Sequence, residues 1–420
     1  MREKGLSKSH RCLALKCNQR APRGQMPAVF KLIEYVAWTI LRDMKVLVDC
    51  TQITKNKAGV GAYALNLTRE LVKRQDETLE VMLLIQDDDP DFSSDGESIR
   101  LVKVSAKLFR SLPFRFLMEQ LYIPWLIRKR NVDVLHSLHY SFPLLPMRAR
   151  KIVTVHDLTS VIMPEVHTYI KRAYCRFFIR AANRFADALI FVSNSTKEDW
   201  TRHFQRISQL SFVIPLGKAG IFRPGLSPEQ IDLTLQKYKI DKPFLLYIGT
   251  IEPRKNLTRL VEAFSQLTQS FPMHNLVIAG MKGWMYDQLF DAVRSLELQT
   301  RVIFTGFVAE EDKPYLISGA EVFVYPSLYE GFGIPALEAI SCGTPTLTSN
   351  VSSLPEVVGD AALLVDPRSV NDIAFNLSRL LTDEDLRDSL CRKSVYQASL
   401  FEWGRTADET IHAYRMVALT

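Results

Sequence analysis

The sequence predicts an α/β protein made of two doubly wound units, each a parallel sheet with helices on both faces. Short apolar runs alternate with helical patterns along most of the chain, a rhythm that parallel strands joined by helical crossovers produce. The alternation halts at Pro224 and Gly225, passes through a polar, helix-like linker to about Asp241, and then restarts. Several of the apolar runs also end in polar residues or glycines, which is where open parallel sheets bind ligands. Two Rossmann-like domains with a cleft between them follow from these observations.

The first 43 residues differ from the rest. Residues 1–25 are rich in Lys and Arg without apolar periodicity, which points to disorder or to a start codon placed too far upstream. Residues 27–41 are apolar but carry Lys31 and Glu34. They are too short and interrupted to span a bilayer, which asks for about twenty residues, and at most suit a membrane-surface helix. The folded domain is expected to begin at Met44.

Residues 45–49 then read as a buried strand and 58–72 as a glycine-led amphipathic helix. Gly59, Gly61 and Ala64 match a dinucleotide fingerprint, yet nine residues separate Asp49 from Gly59, whereas a dinucleotide turn leaves its strand almost directly. A glycine-containing flap over a ligand fits better, with a simple helix start as the alternative. After the strand 81–85, the acidic run 86–95 invites a metal reading. Pro90 and the following Ser-Ser-Asp-Gly mark it instead as a solvated turn with nothing apolar to seal a site.

Residues 106–130 interleave aromatic and basic side chains, which suits either an acceptor groove or anionic membrane surface, or core packing with a basic rim. Strands 132–136 and 151–156 end in polar residues, so His156 and Asp157 stand where ligands sit. A helix over 169–184 carries Arg172, Arg176, Arg180 and Arg184 on one stripe, the pattern of a solvated face. Strands at 188–192 and 212–217 close the first unit.

The second unit opens with the strand 243–250, whose end leads into Arg254 and Lys255. Two adjacent cations at such a turn can clamp a diphosphate. Strands follow at 275–280, 301–307, 321–325, 344–349 and 362–365. The stretch 325–338 is a strand-loop-helix junction in which Gly331 and Gly333 permit a tight turn and Pro335 suits the first helical position. Glu330 precedes the helix and Glu338 is expected in its first turn. Carboxylates for sugar hydroxyls and amides for a diphosphate are what a sugar nucleotide requires; an ordinary loop residue and a dipole-complementing glutamate are the alternative.

Length and composition agree with this organisation. The 420 residues allow two to three domains, and 47% hydrophobic with 24% charged residues describes a globular protein rather than a disordered or membrane-spanning one. Six scattered cysteines without paired motifs, and no secretory cleavage pattern, predict reduced thiols in the cytoplasm. The net charge of +7 favours anionic partners, among them nucleotides, anionic lipid or nucleic acid, without choosing one.

Residues 249–256 (GTIEPRKN) together with 327–338 (SLYEGFGIPALE) resemble the family 4 retaining glycosyltransferases of GT-B fold, and 133–137 and 155–158 resemble the mannosyltransferase-like branch that builds polysaccharides. The likeness runs from about Met44 to the end of the chain. It implies an acceptor-side domain over 44–225, a nucleotide-sugar domain over 241–400, and a C-terminal helix in 401–420 that packs back toward the first domain. By the same resemblance Arg254 and Lys255 hold the donor diphosphate, Glu330 the transferred sugar and Glu338 the ribose. Amides near Phe332 and Gly333 meet sugar and phosphate, the backbone around Val308 meets the base, Gly59 and Gly61 close over the phosphates, and His156 contacts sugar or acceptor. His156 and Glu330 are then the candidates for catalytic roles.

The expected reaction moves a hexose, with mannose from GDP-mannose favoured, to a glycan or lipid-linked oligosaccharide. No carboxylate in these motifs is placed as a nucleophile, so same-face attack is expected, with the leaving phosphate taking the acceptor's proton. No cofactor, metal or nucleic-acid partner is expected, and the chain is placed in the cytoplasm with peripheral contact at the inner face of an anionic membrane. A nucleotide-sugar epimerase, a dinucleotide-dependent enzyme of similar build, or a nucleic-acid-binding module are the competing classes, separable by dinucleotide binding, by epimerised sugar released without acceptor, and by a steep salt slope.

Overall fold

The computed structural model describes residues 43–420 apart from 54–58, 93–99, 206 and 208, so the expectations for residues 1–42 lie outside the described residues. Two separate sheets carry the fold. The first has seven parallel strands: β1 (Met44–Asp49), β2 (Leu79–Gln86), β3 (Arg100–Val104), β4 (Val134–Ser137), β5 (Arg150–Val155), β6 (Ala188–Phe191) and β7 (Leu210–Val213). Their order is β3-β2-β1-β4-β5-β6-β7, which reverses between β1 and β4.

The second sheet has six: β8 (Phe244–Ile248), β9 (Asn275–Ala279), β10 (Val302–Gly306), β11 (Val322–Tyr325), β12 (Thr346–Ser349) and β13 (Leu363–Val365). Its order is β10-β9-β8-β11-β12-β13, and it reverses between β8 and β11. The central strands are apolar on both faces because helices cover both; Val46, Leu47 and Val48 are fully buried, as are Phe244 through Tyr247. Each sheet therefore has a crevice at the carboxyl ends of its strands, beside the reversal.

The last strand of the first unit was expected at 212–217 but spans Leu210–Val213. Pro215 cannot donate to a ladder, and the chain beyond it bonds to the C-terminal segment instead: Lys218 N–H donates to Phe401 O at 3.0 Å and Thr406 Oγ1 to Pro215 O at 2.8 Å. The polar segment after Gly225 forms the helix Pro228–Tyr238, capped by Ser227 and packed on the second unit through Ile231 and Leu235 at Gly319. The final helix, Trp403–Ala418, returns to the first unit. There Tyr414 Oη meets His136 Nδ1 at 2.7 Å, His136 Nε2 meets Thr154 Oγ1 at 2.8 Å, and Arg74 pairs with Asp408 at 2.5 Å.

The aromatic and basic stretch 106–130 forms two helices, Ala106–Arg110 and Leu112–Arg130. The longer one buries Glu119, Ile123, Leu126 and Ile127 against the sheet and turns Phe114, Leu117, Leu121 and Trp125 outward at helical spacing. Core packing and an exposed apolar stripe thus both occur, on opposite faces of one helix. No helix among the described residues is long and apolar enough to cross a membrane.

Candidate functional site

The turn after β8 and the loop after β11 are sewn together. Glu252 leads into a single 3₁₀ turn, Pro253–Lys255, and Asn256 ends it in the left-handed region at φ 61°. The Asn256 amide donates to Pro326 O and Pro367 O at 3.1 and 2.6 Å, and Leu328 N–H donates to Arg254 O at 2.9 Å. Arg254 and Lys255 are thereby aimed at Glu330. Arg254 Nη1 donates to Glu330 Oε2 at 2.7 Å and to Tyr329 O at 2.8 Å, while its Nη2 donates to Glu252 Oε1 at 2.7 Å. Lys255 Nζ donates to Glu330 Oε1 at 2.7 Å and to Tyr325 Oη at 2.5 Å.

This geometry changes the expectation for the two cations. They were expected at a turn where they clamp a diphosphate, but Lys255 is only 7% exposed and both are already engaged by carboxylates. Burial pushes the Glu330 carboxyl up, yet Arg254 and then Lys255 outweigh it and hold it at about 2, so it is ionised at neutral pH. Burial and the neighbouring guanidinium together lower Lys255. Two positive and two negative groups balance here, and an ammonium carries three donors of which Lys255 spends two. The third proton is what a further anion would engage.

The loop 330–333 is held by serines. Glu330 N–H donates to Ser352 Oγ at 2.9 Å, and Ser353 Oγ donates to the carbonyls of Glu330 and Phe332 at 3.0 and 2.8 Å. The two glycines do different work. Gly333, at φ 105°, adopts a left-handed conformation immediately before the helix Ile334–Ser341. Gly331 is required for approach: a Cβ there would lie 1.7 Å from His156 O, and its carbonyl accepts from Ser193 Oγ and Thr196 Oγ1 at 2.6 and 3.1 Å. The loop that carries Glu330 therefore touches the first unit directly.

Glu338 is the fifth residue of its helix rather than part of the first turn, and it is buried. Burial raises it to about 7, with Lys313 opposing and Glu310 adding to the rise. Glu310, on the loop after β10 that also holds the buried Val308 and the exposed Phe307, pairs at 2.5 Å with Lys313, the first residue of the helix Lys313–Gly319.

Across the cleft, His156 is half-buried and makes a 2.8 Å hydrogen bond from Nε2 to Leu138 O. Its ring packs edge-on to Tyr63 at 4.9 Å, and burial lowers its affinity for a proton, so it is neutral at pH 7 with Nδ1 left as acceptor. Burial raises Asp157, but Arg254 of the opposite unit and Thr159 hold it below the usual carboxylate value. Tyr329 Oη donates to Asp199 Oδ2 at 2.8 Å, and Glu356 accepts from the Asn194 and Ser195 amides at 3.1 and 3.2 Å.

Gly59 and Gly61 were expected in a flap, but Gly59 is the residue before the helix Val60–Lys73, at φ 56°, and Gly61 is a buried member of its first turn. The preceding residues 54–58 lie outside the described ones. The acidic run serves as local scaffolding: Asp87 Oδ1 accepts from Ala106 N–H at 3.0 Å and Asp88 pairs with Arg110 at 2.8 Å. Among the described residues no group of three or more His, Cys, Asp or Glu is arranged to hold a metal. Sequence reasoning missed Glu252, Asn256, Asp199, Glu356 and the pair Ser352 and Ser353. Glu252 and Asn256 flank the cations in sequence and were legible; the others reach the site only through folding.

The family described as glycosyl transferases group 1 matches residues 231–394, and glycosyltransferase family 4 matches residues 58–217. The O-antigen chain mannosyltransferase B of Escherichia coli is 32% identical over 385 residues, covering 89% of this chain and 100% of that protein. The serotype-specific mannosyltransferase WbdA of Escherichia coli is 31% identical over 293 residues, 66% of this chain and 35% of WbdA. In fold, the sucrose-phosphate synthase of Thermosynechococcus elongatus superposes with a TM-score of 0.71 at 22% identity, covering 89% of this chain and 98% of that one.

Proposed function

The chain belongs to the group 1 and family 4 glycosyltransferases and has their GT-B fold, and from that premise we propose that it transfers mannose from GDP-mannose, with retention, to a glycan or lipid-linked oligosaccharide in polysaccharide biosynthesis. The observation that carries the choice of sugar is the full-length likeness to a protein named as an O-antigen chain mannosyltransferase. The ion cluster of Arg254, Lys255 and Glu330 supports a donor site in the cleft, because it is buried, positioned by backbone and within reach of the first unit.

On this reading the diphosphate engages the spare protons of Arg254 and Lys255 and the amides at the start of the helix Ile334–Ser341. Glu330, ionised and rigidly held, accepts from hydroxyls of the transferred sugar; Glu338 accepts from the ribose, and the backbone at Val308 meets the base. Charge that grows on the departing diphosphate is stabilised by the same cations, which need no reorganisation as the bond breaks. The neutral His156 offers Nδ1 to a sugar or acceptor hydroxyl. No metal or cofactor is part of the scheme.

The exposed stripe of Phe114, Leu117, Leu121 and Trp125, with Arg128, Lys129 and Arg130 beside it, is proposed to rest on an anionic membrane surface. Lys129 Nζ lies 4.6 Å from the Trp125 ring centre, the amphipathic pairing expected at a lipid interface. The test of the transfer reading is release of free nucleoside diphosphate across a panel of sugar nucleotides, with the anomeric configuration of the product read by NMR. Turnover of GDP-mannose with an α-linked product is expected; exclusive turnover of another donor, or an inverted product, overturns it.

A further inference from the structure

β11 ends in Tyr325, at the strand-order reversal between β8 and β11. The residue is 1% exposed, and its ring and backbone are held on three sides. Phe323, on the same face of the strand, stacks on it at 6.2 Å and 18°, and Tyr247 of β8 stacks at 5.7 Å and 11°. From β12, Thr348 Oγ1 donates to the Tyr325 carbonyl at 2.8 Å. A phenylalanine would serve all of this packing equally well. The hydroxyl is the part of Tyr325 that the core does not explain, and it meets Lys255 Nζ at 2.5 Å.

An ammonium nitrogen is tetrahedral. In Lys255 one direction is taken by Cε, one by the hydrogen bond to Glu330 Oε1 and one by the bond to Tyr325 Oη, so the fourth is fixed. With Glu330 alone, two protons would stay open and Nζ, at the end of a flexible four-carbon stem, would be held at one point; the phenol gives it a second. This second anchor is neutral. Glu252 and Glu330 already match the charges of Arg254 and Lys255, so a carboxylate in place of the phenol would leave the cluster negative and unfit to meet an anion. Burial and then the charge of Glu330 raise the Tyr325 phenol well above its ordinary 10, and Glu330 also takes a hydrogen bond from it. Tyr325 therefore stays protonated, accepts from Lys255 and donates to Glu330.

We propose that Tyr325 is a positioning residue for the transferase reaction, whose hydroxyl aims the third proton of Lys255 at the diphosphate as charge grows on it. The inference rests on the donor reading above and adds to it a residue of the sheet that acts through Lys255 alone. Burial and then Arg254 lower Lys255 below its ordinary 10.5, against Glu330 and Glu252. Taking away the phenol removes an acceptor that favours the charged ammonium, so Lys255 would give up its proton at lower pH still. A side chain that only fills space has no such effect.

The test is a double-mutant cycle on the full chain, with GDP-mannose as donor and release of GDP, by transfer or by hydrolysis, as the readout for Tyr325→Phe, Lys255→Ala and the two combined. Tyr325→Phe keeps the stacked ring and is expected to lower kcat about tenfold, to change the donor KM by less than about threefold, and to move the alkaline limb of kcat/KM to lower pH. On the Lys255→Ala background the same change is expected to alter kcat by less than about twofold, because the proton it aims is gone. Tyr247→Phe trims the other phenol of the stack, whose hydroxyl donates to Thr250 O at 3.3 Å, and is expected to keep the wild-type kinetics and pH profile. Should Tyr325→Phe not fold, 3-fluorotyrosine at position 325, a weaker acceptor of nearly the same shape, is expected to give the same shifts in smaller measure. Wild-type kinetics in the altered protein, or an equal loss with and without Lys255, overturns the role and leaves Tyr325 to packing. A wild-type protein that turns over only a different sugar nucleotide overturns the donor reading instead, and the cycle run with that nucleotide then decides Tyr325 by the same outcomes.

Discussion

Glu330 spans the two cations of the neighbouring turn, one oxygen 2.7 Å from Arg254 Nη1 and the other 2.7 Å from Lys255 Nζ. All three groups are largely buried, so the cluster supports the fold as well as any ligand. Lys255→Ala leaves Glu330 with one cation, and breaking a buried pair in this way costs about 3–5 kcal/mol. A melting temperature lower by several degrees is expected together with a loss of turnover of about a hundredfold or more. Thermal melts and donor kinetics measured on the same preparation check this; a variant with unchanged turnover would remove Lys255 from the donor site.

Gly331 sets how closely the two units can meet. Its missing Cβ would lie 1.7 Å from His156 O, and that carbonyl is backbone that cannot swing aside. Gly331→Ala is expected to hold the cleft open, lowering kcat while each unit keeps its own core. Small-angle scattering should show a larger radius of gyration than wild type. An unchanged radius with normal kinetics would mean that the close approach is incidental.

Activity is expected to survive EDTA, because on the proposed reading the donor charge is met by Arg254, Lys255 and helix amides. Asp87 and Asp88 already serve Ala106 N–H and Arg110. Turnover lost in EDTA and restored by Mn²⁺ would show that a divalent cation takes part.

The outward stripe of the helix Leu112–Arg130 predicts binding to vesicles that contain an anionic phospholipid and not to neutral ones. Leu117→Asp with Leu121→Asp replaces side chains that are 50% and 59% exposed, so the fold should be spared while cosedimentation falls at least tenfold. Equal sedimentation of variant and wild type would leave the stripe without a lipid role.

The sequence was most legible where local chemistry and function coincide. The alternating apolar runs disclosed both sheets, and the glycines and cations at strand ends disclosed the second crevice, because those residues act within a few positions of each other. Contacts made across the chain were not legible. Ser193 reads as a helix cap, and it is one, but its bond to Gly331 depends on how two units dock. Glu338 shows the same limit: its spacing from Pro335 suggested the first turn, whereas it is the fifth helical residue, and its burial and its neighbours Lys313 and Glu310 come from parts of the chain that only folding brings together.

Glu330 and Glu338 should respond to pH with opposite signs. Burial alone would raise Glu330, but Arg254 and Lys255 bring it to about 2, below its ordinary 4.5. The stability it contributes is therefore present above pH 4.5 and is lost as pH falls toward 2. Glu338 is raised by burial from 4.5 to about 7, so it favours the folded state most below pH 4.5 and progressively less as pH climbs to 7. Each displacement corresponds to about 3 kcal/mol. Glu338→Gln removes the cost of charging a buried group, so its melting temperature at pH 8 should equal or exceed that of wild type, and the advantage should shrink as pH falls to 4.5. Glu330→Gln strands Arg254 and Lys255, so its melting temperature should fall at pH 7 and approach the wild-type value near pH 2. Kinetics should separate them again: a ribose contact changes little as the glycosidic bond breaks, so Glu338→Gln should raise the donor KM, whereas Glu330→Gln should lower kcat through lost orientation of the reacting sugar. Melts across pH together with donor kinetics for both variants decide the matter. Matching kinetic defects, with both variants less stable at pH 8, would assign the pair to holding the helix Ile334–Ser341 in place and withdraw the division between ribose and sugar.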